Sequence, residues 1–227
     1  KGSRANFQDL LYIEREQPGV ENANGDQRPT GLYVGLGVKV SGTQLNFAQG
    51  SPITTDNQLD LFIDGQGFFQ VLLPDGSMGY TRNGTFSQNA EGLLTTASGY
   101  FVQPEIQIPA DALSVTVSAD GIVSVVQPGQ VEPAEIGQLT LANFANPRGL
   151  QPVGETFLVE TAASGPPVVG EPLADGAGKL VQGALEASNV NVVQELVAMI
   201  EAQRAYEVNS RSISASDEMM RYLSNKL

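Results

Sequence analysis

Asp60 and Asp64 stand four residues apart in LDLFIDG, a pair of carboxylates of the kind that acid–base and glycoside chemistry uses. They fall at opposite ends of a short β-type run, with no Lys or Arg close in sequence, and the chain contains no His. A structural duty is the expected one. Ser and Thr are plentiful, yet without His the usual nucleophilic triad cannot be built. With no Cys there is neither a disulfide framework nor a thiolate metal site. The segment GQGFF, residues 65–69, is glycine-rich but runs into a strand pattern rather than a helix, so it is not a phosphate loop. Asp-Gly, Asn-Gly and Glu-Gly pairs recur at 64–65, 75–76, 83–84, 91–92 and 120–121. None has the oxygen ligands at i, i+2 and i+4 that a calcium loop requires, and hairpin turns explain them. No catalytic, cofactor-binding or metal-ligating residue is expected, and no cofactor.

The elements around these residues have a distinct composition. The chain has 227 residues with 25 Gly, 13 Pro, no Trp and 7% aromatics, which suits a turn-rich β domain. Its net charge is −13, and between positions 40 and 185 only Arg82, Arg148 and Lys179 are basic. Such a surface repels phosphate, so no nucleic-acid partner is expected. No stretch approaches the length of a membrane span, so no membrane insertion is expected either.

The most regular pattern lies at the C-terminus. A seven-residue ladder runs Val192, Met199, Tyr206, Ile213, Met220, Leu227, with Leu196, Ala202, Asn209, Ser216 and Leu223 in the alternate column. Apolar residues at 3.5-residue spacing let one helix lie along another. Asn191 is a good N-cap, Gln194 sits where a capping box wants Gln or Glu, and Glu207 precedes Arg211 at the favourable i,i+4 spacing. A helix of this length measures about 50 Å. Its stripe therefore needs a second helix, from the chain itself or from a neighbour.

Four regions follow. Residues 1–14 place Phe7, Leu10 and Leu11 on one helical face and read as the end of an N-terminal helix. Residues 15–58 are polar, with Gly and Pro, and read as an extended connector or long hairpin. Residues 59–185 hold about ten short alternating runs at hairpin spacing, an antiparallel sandwich or barrel-like domain. Residues 186–227 are the amphipathic helix. The expected class is mainly β with terminal helices, the β domain inserted between helical ends that form a coiled-coil-like stalk. The chain opens on Lys1 rather than Met, so its natural N-terminus is expected to lie upstream.

Three segments together resemble the bacterial flagellar rod and hook proteins: LDLFIDGQGFFQVLLPDGSMGYTRNGTFSQNAEGLLTTASGYFVQ (59–103), LEASNVNVVQELVAMIEAQRAYEVNSRSISASDEMM (185–220) and KGSRANFQDLLY (1–12). Residues 12–29, with Tyr12, Pro18, Gly19 and Pro29, resemble an insertion that marks the distal rod within that family. The resemblance implies a structural, non-enzymatic subunit that polymerises helically into a rigid drive shaft, exported to the basal body without a cleaved signal peptide. Val192, Leu196, Met199, Tyr206, Ile213, Met220 and Leu223 would pack the subunits. It implies as partners further copies of the chain, other rod proteins, the hook protein and the surrounding rings. The alternatives are a hook or proximal-rod subunit and, from another class, a secreted β-sandwich enzyme acting on carbohydrate.

Overall fold

The computed structural model describes residues 1–20, 30–130 and 132–224, and for Leu223 the backbone alone. By its contacts the chain divides into a β unit, Lys1–Ala187, and a helical unit, Ser188–Leu227.

The β unit begins with a long two-stranded ribbon. Strands β1 (Ser3–Asp9) and β2 (Tyr12–Glu16) run out, and β3 (Leu32–Gly35) and β4 (Val38–Leu45) return. β1 pairs with β4 and β2 with β3, all antiparallel. Backbone bonds from Leu10 N to Gly37 O (2.8 Å) and from Leu36 N to Leu11 O (3.1 Å) carry the pairing across the joint. The ribbon thus starts at residue 3, ahead of the bounds 15–58 expected for an extended connector or long hairpin. The helix expected over 1–14 is corrected: residues 3–9 and 12–14 are strand. Phe7, Leu10 and Leu11 do fit a helical face, but that local spacing loses to a ladder with a segment some thirty residues on, the kind of override that tertiary pairing imposes on short runs.

The ribbon leads into a series of short strands: β5 (Pro52–Thr54), β6 (Leu61–Asp64), β7 (Phe69–Leu72), β8 (Met78–Thr81), β9 (Phe86–Gln88), β10 (Leu94–Thr96) and β11 (Val102–Gln103). Then come β12 (Ser114–Val117), β13 (Ile122–Val126), β14 (Ala134–Gln138), β15 (Leu141–Asn143) and β16 (Gln151–Gly154). The last are β17 (Phe157–Val159), β18 (Val168–Gly170), β19 (Lys179–Gln182) and β20 (Ala184–Glu186). Every run expected from alternation is present. The additional strands, such as QPVG and VVG, are short and Gly- or Pro-containing, so their pattern is too brief to register.

Among the described residues no closed barrel forms. The largest sheet has the order β11-β7-β8-β17-β16, a three-stranded sheet has β12-β13-β14, and the rest pair in twos. Two cores result, because successive side chains of a strand face opposite ways. Phe69 enters one core with Leu61, Ile63, Phe86 and Val125, and its ring meets Phe86 edge-on at 5.0 Å. Phe68 enters the other with Tyr80, Phe144 and Leu158, where Tyr80 meets Phe144 at 4.8 Å. Full burial of each such aromatic is worth about 2–3 kcal/mol. Leu45 and Phe47, at the foot of the ribbon, pack on this second core and root the ribbon there.

Several of the expected Gly turns close hairpins, as at Gly76 between β7 and β8 (φ +82°) and Gly121 between β12 and β13 (φ +88°). Gly84 serves differently. A β-carbon there would lie 1.7 Å from the Leu61 carbonyl oxygen, so Gly is required by close approach of two strands.

The helical unit is one helix, α1 (Val192–Ser224), 33 residues long. Mainly β with one C-terminal helix is therefore the architecture.

Candidate assembly surfaces

The residues with chemical potential are absorbed into turns. Asp60 is buried and accepts bonds from Thr55 Oγ1 (2.7 Å) and Asn57 Nδ2 (2.9 Å). Asp64 pairs with Lys179 at 3.2 Å on the surface. Asp75 accepts from the Ser77 amide and hydroxyl, which hold its carboxyl below the usual range, and Ser118 does the same for Asp120. In the glycine-rich loop the carbonyls of Ile63, Gly65 and Gly67, not the amides, converge, and they converge on the Arg82 guanidinium. Carbonyls suit a cation and repel a phosphate. Among the described residues no group of three acidic or His side chains is placed to hold a metal.

What the structure offers instead is uncovered apolar surface. On α1, Asn191 caps as expected: its Oδ1 accepts from Val193 N (3.0 Å) and Gln194 N (3.4 Å), and its carbonyl from Glu195 N. Beyond the cap, every described side chain of the helix is exposed. Val192 is 67% exposed, Met199 55%, Tyr206 76%, Ile213 65% and Met220 70%, with Leu196 at 51%. The side chain of Leu223 and all of Leu227 lie outside the described residues. Glu207 and Arg211 approach at 3.8 Å, a loose surface pair contributing a few tenths of a kcal/mol at about the level of i,i+4 pairs. A bare 33-residue amphipathic helix draws most of its stability from whatever covers it. No helix of the described residues is long and apolar enough to cross a membrane.

The ribbon is the second such surface. All residues of β1, β2 and β3 are exposed, among them Phe7, Leu11, Tyr12 and Val34. It is nevertheless well made. The Tyr12 ring lies over Gly35, where a β-carbon would meet Tyr12 Cε1 at 3.2 Å, and at Gly31 a β-carbon would come within 2.9 Å of Pro18 Cδ and 3.0 Å of the Tyr33 ring. Aromatics folded over cross-strand glycines are a known device for setting register. Pro18 and Gly19 (φ +84°) turn the chain beyond β2, and Pro29 lies outside the described residues.

One cluster escaped the reading of the sequence. The Glu186 side chain, 6% exposed, accepts from Lys1 Nζ, from Gly50 N (2.8 Å) and from Arg82 Nε (2.8 Å). Burial pushes its carboxyl up, but the bonds from Lys1, Gly50 and Arg82 outweigh this and hold it below the ordinary value. The only signal in the sequence was Arg82 as a lone cation in an acidic stretch.

An uncovered helix and an uncovered ribbon are surfaces of the kind that assembling, structural proteins present. Comparison with known proteins agrees. The flagellar hook protein FlgE/F/G D1 domain family matches residues 62–125, and the flagellar basal body rod FlgEFG protein C-terminal family matches residues 181–226. Flagellar basal-body rod protein FlgG of Buchnera aphidicola subsp. Schizaphis graminum is 48% identical over 224 residues, 99% of this chain and 86% of the relative. FlgG of Caulobacter vibrioides is 47% identical over 97% and 84%, and that of Borreliella burgdorferi 43% over 99% and 86%. The chain belongs to the flagellar basal-body rod protein family, structural and non-enzymatic.

Proposed function

We propose that the chain is a structural subunit of the distal rod, stacking helically with further copies into a stiff shaft that carries motor torque to the hook. The exposed apolar stripe of α1 carries this reading, since a helix of this length gains little stability while bare. Copies lay Val192, Leu196, Met199, Tyr206, Ile213, Met220 and Leu223 against helices of their neighbours, forming the inner wall of a tube. The β units form the outer wall, and the ribbon that includes Tyr12, Pro18 and Gly19 reaches to adjacent subunits. Other rod proteins and the hook protein adjoin the stack at its ends, and ring proteins surround it within the basal body.

Tyr206→Asp and Ile213→Asp test the stripe. A charge desolvated without a partner costs several kcal/mol, roughly 3–5. Concentrated parent protein should give tubes by electron microscopy and pelleting, while either variant stays soluble with the β-unit circular dichroism unchanged. Normal tubes from either variant would remove the stripe as the packing surface.

A further inference from the structure

The β unit ends at a weak place. β20 is held to β5 by three residue pairs, Ala184↔Thr54, Leu185↔Ile53 and Glu186↔Pro52, and β5 is exposed along its length. Ladders this short are marginal. Beyond the third pair a single further backbone bond runs toward α1, from Ala187 N to Ser51 O (2.9 Å). A strand pulled from one end yields pair by pair, so this bond and the residue pair behind it meet the load first. That pair contains Glu186.

We propose that Glu186 and Arg82 form a lock that carries tension between α1 and the β unit, routing it past β5 into the half-buried loop between β6 and β7. The inference rests on the reading of the chain as a shaft subunit, because torque supplies the tension. Glu186 gathers donors from three stretches of chain: Lys1 ahead of β1, Gly50 ahead of β5 and Arg82 beyond β8. Arg82 then passes the restraint on, donating to Gly65 O (2.9 Å), Ile63 O (3.3 Å) and Gly67 O (3.3 Å), with its guanidinium 5.9 Å from the Phe68 ring centroid. Charge-assisted bonds of this kind are about twice as strong as neutral ones. They anchor the exit to residues of both cores. Gly50 completes the fit, because a β-carbon there would fall 2.0 Å from the Ala187 carbonyl oxygen. Glu186 and Arg82 are positioning residues: they act by holding the last turn of chain before the helical unit.

The absence of Cys makes a direct test simple. Ala97→Cys, in an exposed turn, and Asn209→Cys, on α1, give two handles for optical tweezers on the full chain. The rate at which the exit opens at constant force is then read, and the extension before each pull shows that the β unit is folded. Glu186→Gln and Arg82→Gln should each open about tenfold faster or more, in line with opening under force being rate-governed. The double variant should be no faster than the quicker single, as for one shared unit. Lys179→Ala, which breaks the exposed pair with Asp64, should open at the parent rate. Opening of Glu186→Gln at the parent rate, or single effects that multiply in the double variant, overturns the lock. The measurement needs no polymer: failure of the parent to form tubes strikes the rod reading alone, and an unchanged Glu186→Gln strikes the lock alone.

Discussion

A buried carboxylate is costly unless donors meet it, and Glu186 is met by two cations and a backbone amide. That arrangement has a pH signature. Burial alone would raise its titration, but the bonds from Lys1, Gly50 and Arg82 lower it beneath the ordinary glutamate value of 4.5. A group depressed in the folded state lends stability above its unfolded value, and that stability drains away as pH falls through the folded value. Urea unfolding of the β unit should therefore show the parent more stable than Glu186→Gln by a constant margin from about pH 7 to 5, closing below 4.5. A margin independent of pH would show that the charge of Glu186 contributes nothing. At this scale the sequence was partly legible. The structural reading of Asp60 and Asp64 followed from their lack of neighbouring bases, and each indeed serves a local turn or surface pair. The Glu186 cluster was not legible, because its members lie at positions 1, 50, 82 and 186 and share no local pattern.

Helix and ribbon respond to opposite rules. In α1 every bond closes within four residues, so cap, heptad ladder and absence of Gly or Pro were enough to place it at Val192. In the ribbon each bond joins residues far apart, and Phe7 pairs with Val40. No window of eleven residues holds that information. The two elements also differ in what keeps them folded. Apart from its cap, α1 rests on its own bonds, so in dilute solution its amides should open at a cost of about 1–2 kcal/mol, close to free fraying. Amides of Val71 and Val125, both fully buried, should exchange only with global unfolding. Hydrogen exchange read by mass spectrometry on isolated chain and on tubes checks this. Protection of α1 equal in both states would mean that no neighbour covers it.

The charge of the whole molecule sits on the β unit, with few cations to offset it, so copies repel across that surface unless apolar contact outweighs the repulsion. The ribbon supplies a second exposed apolar surface and roots in the second core through Leu45 and Phe47. Deletion of residues 12–29 removes β2 and leaves β3 without its partner. The deletion variant should still polymerise through α1, but into a more flexible, hook-like tube, as judged by persistence length in electron micrographs. Tubes as straight as those of the parent would end the stiffening role of this segment.

The sequence alone determined what is periodic and local: α1 with its Asn191 cap, the Gly turns at 76 and 121, the alternating runs that became strands, and the lack of any His for a nucleophilic triad of the usual kind. Tertiary structure decided what needs partners distant in the chain. It turned residues 3–9 into strand by pairing them with β4, split GFF between two cores, and drew three remote segments onto one carboxylate. The physical reason is range: a helix satisfies its backbone within four residues, whereas a ladder or a buried ion pair is settled only when the far side of the chain arrives.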